Sequence, residues 1–143
     1  MENEMERPTT FFRFEDLRIY HKALEYVDSI YAMARSAKDD HYTRSFFERF
    51  LTAAASIATN IAEGSSRNKS QFVYYLKMAK SSVRECVVLS TMAQSQKFIT
   101  ADGFEGSKNH LMEMTKMIGA LIGSLQRSVR PGELGSDEEE DDS

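Results

Sequence analysis

Three cations raise the first chemical question. Lys77, Lys80 and Arg84 stand at i, i+3 and i+7, which puts them on one face of any helix that contains them. From Ser65 to Lys97 there are six bases (Arg67, Lys69, Lys77, Lys80, Arg84 and Lys97) against one acid, Glu85. A row of cations at helical spacing can follow a phosphate backbone, because each neutralised phosphate releases a counterion. On this reading Arg67, Lys69, Lys77, Lys80 and Arg84 are the candidate nucleic-acid contacts. The plain alternative is a solvated helix face.

Other chemistry finds less support. Asn60, Glu63, Gly64 and Arg67 lie close together in sequence. As a catalytic group, Glu63 would be a base and Arg67 an anion clamp, but no nucleophile or metal set accompanies them. The structural alternative is favoured: Glu63 and Arg67 pair across a turn, and Asn60 bonds to a facing backbone or a neighbouring subunit. His21, His41 and His110 form no Glu-x-x-His motif of the kind di-iron helical proteins use, so no metal is expected and the histidines should face solvent. Cys86 has no base beside it and reads as a small buried hydrophobe. There is no Walker loop, dinucleotide fingerprint or zinc spacing. The expectation is a non-enzymatic protein without a cofactor.

The elements that must carry these residues read as helices. The 143-residue chain has only two prolines, Pro8 and Pro131, both near the ends, and 41% apolar residues, enough for a single core. Residues 1–13 read as a loose arm. A first helix begins near Asp16, with Leu17, Tyr20, Leu24, Val27, Tyr31 and Ala34 as its apolar stripe. A second covers roughly 41–63 with the stripe Phe47, Phe50, Ala54, Ile57 and Ile61, and Gly64 stands just past its end, where a positive φ is wanted. Asn68 followed by Gln71 is a capping box opening a third helix over about 69–97, with the stripe Phe72, Leu76, Ala79, Val83, Val87 and Ser90. Thr100 or Asp102 caps a fourth over roughly 104–129, marked by Phe104, Leu111, Met114, Ile118, Leu121, Ile122 and Leu125. Short connections make sequence neighbours antiparallel, so the expected fold is all-α, an antiparallel up-down-up-down four-helix bundle over residues 14–130.

Charge is uneven. Residues 131–143 hold seven acids and no base, while residues 1–130 hold all 18 Lys and Arg against 15 acids. The body is mildly basic and the tail reads as disordered and acidic. The tail is either a solubility tail or a segment that folds back over the basic face and competes with nucleic acid. No stretch is long and apolar enough to span a membrane, the acidic start is unlike a secretory signal, and one cysteine suits a reducing cytoplasm. Met112, Met114 and Met117 fall on more than one face of the fourth helix, which suggests a second contact with another subunit. Tyr26, Tyr74 and Tyr75 suit an interface as well as a core.

Two segments carry a resemblance. Phe14 to Ala23 (FEDLRIYHKA) and Ser56 to Arg67 (SIATNIAEGSSR) are similar to the bacterial four helix bundle protein family, also called the 23S rRNA intervening-sequence protein family. The run Asn60-Ile61-Ala62-Glu63-Gly64 followed by Arg67 is its most specific mark, and Phe72 to Leu89, with Leu76, Ala79, Ser82 and Glu85, fits its third helix. The likeness covers roughly residues 14–126. It implies a helical bundle assembled as a ring-shaped homopentamer. It also implies kinship with the accessory variability protein of diversity-generating retroelements, a basic pentameric barrel thought to bind nucleic acid and a reverse transcriptase. The chain departs from the family pattern at Leu51 and Thr52, where members usually carry an Arg-rich step, and it lacks their Phe-Pro step before helix two.

The expected function is an oligomeric helical protein that binds RNA or DNA, or a nucleic-acid-processing partner, through the basic face of helix three. The rival is a structural or protein-interaction module without nucleic acid, its partner held by exposed Tyr and Met.

Overall fold

The computed structural model describes residues 11–128; the acidic tail and residues 1–10 of the arm lie outside them. A 3-10 turn at Arg13–Asp16 leads into four helices: α1 (Arg18–Ser36), α2 (His41–Ser65), α3 (Lys69–Ser95) and α4 (Ala101–Arg127). No strand occurs among the described residues. Side chains start three of the helices. Asp40 accepts from Thr43 N at 2.9 Å, Asn68 from Gln71 N at 2.9 Å, and Thr100 from Gly103 N at 3.0 Å, each satisfying an orphan amide of the first turn. The bond from Thr43 N holds the Asp40 carboxyl below its ordinary value. The 3-10 turn accounts for the late start of α1: Leu17 closes it by donating to the Phe14 carbonyl and then serves as the N-cap of α1.

α1 packs on α2, α2 on α3, α3 on α4, and α4 returns to α1, so the rods enclose one core. The core holds Phe47, Phe50, Ala54, Ile57 and Ile61 from α2, and Leu76, Ala79, Val83 and Cys86 from α3. Leu111, Met114, Ile118 and Ile122 come from α4. In α1 the fully buried line is Ile19, Ala23, Tyr26 and Ile30, while Leu17, Tyr20, Val27 and Ala34 of the stripe read from sequence pack partly buried against the core. Leu24 and Tyr31 of that stripe are exposed. Both lines have helical spacing. The inward one contains Ala23, which lets the neighbouring axes come near, and Tyr26, whose hydroxyl finds a partner inside.

That partner belongs to a buried relay. Tyr26 Oη lies 2.8 Å from Ser107 Oγ, which lies 2.7 Å from Ser90 Oγ, so three hydroxyls tie α1, α4 and α3 together. Burial, with the nearby Cys86, pushes the Tyr26 phenol well above its ordinary value. On the opposite seam Ser56 Oγ donates to Ser82 Oγ at 2.6 Å, joining α2 to α3. No buried side-chain nitrogen or oxygen among the described residues lacks a partner.

Other cross-helix pairs fix neighbours. His110 Nε2 lies 3.2 Å from the Lys22 carbonyl and its ring packs edge-on against Tyr26, so this histidine is half-buried rather than solvent-facing. Lys22 Nζ also reaches Glu113 at 3.2 Å. α3 ends in a Schellman motif: Phe98 N donates to the Ala93 carbonyl at 2.8 Å and Lys97 N to the Gln94 carbonyl at 2.9 Å. This puts Lys97 in the left-handed region at φ 63° and outside the helix, which stops at Ser95. No described helix is long and apolar enough to cross a membrane.

Candidate nucleic-acid interface

α3 is a 27-residue helix whose inner side joins the core and whose outer side carries cations. Lys69 is its first residue and is exposed. A cation there opposes the helix dipole, so helix stability does not account for it. Arg84 is exposed and Lys77 is half-buried. Lys80 departs from the expected open row, because its residue is only 9% accessible. It stands seven positions from both buried Val73 and half-buried Val87, on the side of α3 that those residues cover. Most of its side chain is packed away rather than displayed to solvent. The i±7 neighbours in the sequence carried that signal.

The turn before α3 is tightly built. Arg67 is exposed, pairs with Glu63, and holds its guanidinium 5.2 Å from the centre of the Tyr75 ring. The bond to Glu63 raises Arg67 above its ordinary value. Asn60 turns back on its own helix, with Nδ2 donating to the Ser56 carbonyl at 2.9 Å rather than to a facing backbone. Gly64 lies inside α2 and not past its end. Its φ is not left-handed, and its role is proximity. A Cβ built there would lie 2.6 Å from Tyr75 Cβ and 3.0 Å from Phe72 Cδ1. The glycine lets α2 and α3 meet closely at the turn that presents Arg67 and Lys69.

The tyrosines separate cleanly. Tyr26 is core, Tyr75 is half-buried under Arg67, and Tyr74 stands out at 54% exposure. Met114 is core, whereas Met112 is exposed. Cys86 is fully buried and burial pushes its thiol up to about 12, which leaves it unreactive at neutral pH. Among the described residues no group of three or more His, Cys, Asp or Glu could hold a metal ion.

The model of the 23S rRNA-intervening sequence protein family matches residues 15–120. The fold is also similar to the crystal structure of a protein with unknown function from the S23 ribosomal protein family of Bacteroides thetaiotaomicron VPI-5482. That similarity has a TM-score of 0.64 at 20% sequence identity and covers 73% of this chain and 97% of the other. No curated protein matches the sequence. Since the family match takes in all of α1, α2 and α3 and most of α4, the chain belongs to the 23S rRNA-intervening sequence protein family.

Proposed function

We propose that this protein is a non-enzymatic, cytoplasmic, oligomeric helical bundle that binds nucleic acid, or a nucleic-acid-processing partner, through the outer face of α3. The observation that carries this reading is the charge of that helix: Lys69, Lys77, Lys80 and Arg84 face one acid, Glu85, and both Lys69 and Arg84 are exposed. The helices run up-down-up-down on this account. Support comes from pairs that descend along α4 as they climb α1: Lys22 with Glu113 and His110, Tyr26 with Ser107, and Met33 beside Gly103. The connections, of four, three and five residues, suit antiparallel neighbours.

Assembly supplies avidity. A ring of five copies, as the family resemblance implies, multiplies a weak cationic face without any new contact. Exposed Val88 and Met92 on α3 and Met112 on α4 support a contact between copies. Gly106 and Gly119, where an added Cβ would meet nothing within 4 Å, leave room for one. Kinship with the accessory variability protein of diversity-generating retroelements fits the same reading. The family's name, 23S rRNA-intervening sequence protein, points to an RNA context and agrees with a polyanion ligand.

Filter binding of mixed RNA and DNA across a salt series tests the proposal. Phosphate contact predicts affinity that falls steeply as salt rises. The second reading, a structural or protein-interaction module, is favoured by the exposed apolar residues Tyr74, Met78, Val88, Met92 and Met112. It gains if neither nucleic acid binds at low salt.

A further inference from the structure

We propose that the nucleic acid held on α3 is single-stranded, and that Tyr74 is the platform on which an unpaired base stacks. The inference rests on the nucleic-acid reading above and adds the class of ligand and the residue that selects it.

The core has no use for Tyr74. Its side chain is 54% exposed, and its ring makes one ring contact, edge-on to Tyr75 at 5.3 Å and 85°. Tyr75 is held in turn by the Arg67 guanidinium. A large aromatic is therefore supported from below and presented to water, with cations along one flank of it. Lys77 and Arg84 lie three and ten residues on, which at about 100° per residue sets both on the same flank, roughly 60–80° round the axis from Tyr74. Lys69 lies five residues before it and, by the same count, about 140° round the axis on that side, so the cations run along one flank of the ring over about 22 Å of helix at 1.5 Å per residue. Met78, at i+4 and exposed, extends the apolar surface beside the ring. Glu85, the one acid of α3, lies eleven residues from Tyr74, about 16 Å along the axis, so the ring's immediate surroundings on α3 carry no negative charge.

The chemistry chooses between strand types. Bases of a duplex are already stacked on one another and offer Tyr74 only a sugar-phosphate edge. An unpaired base offers its π-face, and stacking works for every base, so the site tolerates sequence. The phosphate next to that base then meets Lys77, and the backbone running along the same flank meets Arg84, with Lys69 further round the helix start. A protein partner or a second copy would use the apolar part of this face and leave the cations idle.

The test uses the full chain and two fluorescein-labelled probes, a mixed-sequence single strand and the blunt duplex of the same sequence, each as RNA and as DNA. Anisotropy is read across salt, and light scattering is read in parallel. Single strands should bind more tightly than duplexes. Tyr74→Ala should weaken single-strand binding by about fivefold to 150-fold, with the salt slope and duplex binding unchanged. Tyr74→Phe should retain the affinity, since it keeps the ring. Arg84→Ala should lower the salt slope for both probes. Equal binding of both probes with no effect of Tyr74→Ala overturns this inference and leaves the broader reading standing. No binding of either probe overturns both. Loss of assembly in Tyr74→Ala, seen as a smaller scattering mass, assigns the ring to a contact between copies and overturns the stacking role.

Discussion

Replacing Gly64 with alanine puts the α2–α3 approach under direct test. The new Cβ would sit 2.6 Å from Tyr75 Cβ, 3.0 Å from Phe72 Cδ1 and 3.4 Å from the Phe72 carbonyl oxygen. Phe72 can swing its ring, but the Cβ of Tyr75 is fixed to the backbone and no rotamer moves it. The helices must part, which costs about 1–3 kcal/mol for overpacking of this kind. Alanine gains roughly 0.5–1 kcal/mol over glycine inside a helix, and a 2.6 Å contact with a fixed Cβ puts the clash in the upper part of the range, about 2–3 kcal/mol, so the net expectation is a loss of about 1–2.5 kcal/mol. The melting temperature should fall by roughly 3–10 °C. Gly119→Ala is the internal control, because nothing lies within 4 Å of its added Cβ. In a single chain it should stabilise by about 0.5–1 kcal/mol. Urea melts of both variants measure the two changes. A Gly64→Ala protein as stable as the parent, or stabilised as much as Gly119→Ala, refutes the close approach. A destabilised Gly119→Ala protein would mean that another copy packs on that face.

Three further outcomes follow from the geometry and the charge. Lys97→Gly should stabilise by about 0.5–1 kcal/mol in a thermal melt, because the left-handed φ strains a lysine and not a glycine. Stability should fall at alkaline pH, since the folded state holds Tyr26 and Cys86 protonated after the unfolded chain has released those protons. For Cys86 the loss begins near 9 and continues to about 12, with a slope of about 1.4 kcal/mol per pH unit for one proton. Cys86→Ala should flatten that part of the curve, and an unchanged curve removes the attribution. Deleting residues 133–143, which carry seven acids, should tighten polyanion binding at low salt, and unchanged affinity removes the competing-tail hypothesis.

Much of the scaffold was legible because caps and periodicity are local. Asn68 with Gln71 and Thr100 with Gly103 mark helix starts whatever packs against them. α2 has one apolar line, so its core residues could be read directly. α1 has two, and which of them turns inward depends on residues more than eighty positions away, such as Ser107 opposite Tyr26. Gly64 next to a serine pair looks like a helix end, yet its reason lies in Tyr75 on the next helix. At the interface the cations were visible as a row, but the cover over Lys80 is tertiary. Tyr74 was ambiguous in sequence, since a tyrosine one residue from another half-buried tyrosine has no readable side.

On the proposed function, the position of the α3 cations, and not net charge alone, holds the nucleic acid. Two double charge reversals of equal net change separate these possibilities, Lys69→Glu with Arg84→Glu on and beside the proposed face, and Arg35→Glu with Arg49→Glu on α1 and α2. All four side chains are exposed. The slope of log K against log salt is measured on a labelled single strand. In the α3 pair it should drop in magnitude by about 0.7 for each phosphate the protein no longer neutralises, and in the other pair it should stay at the parent value. Equal slopes and equal affinity losses in the two variants would contradict the account.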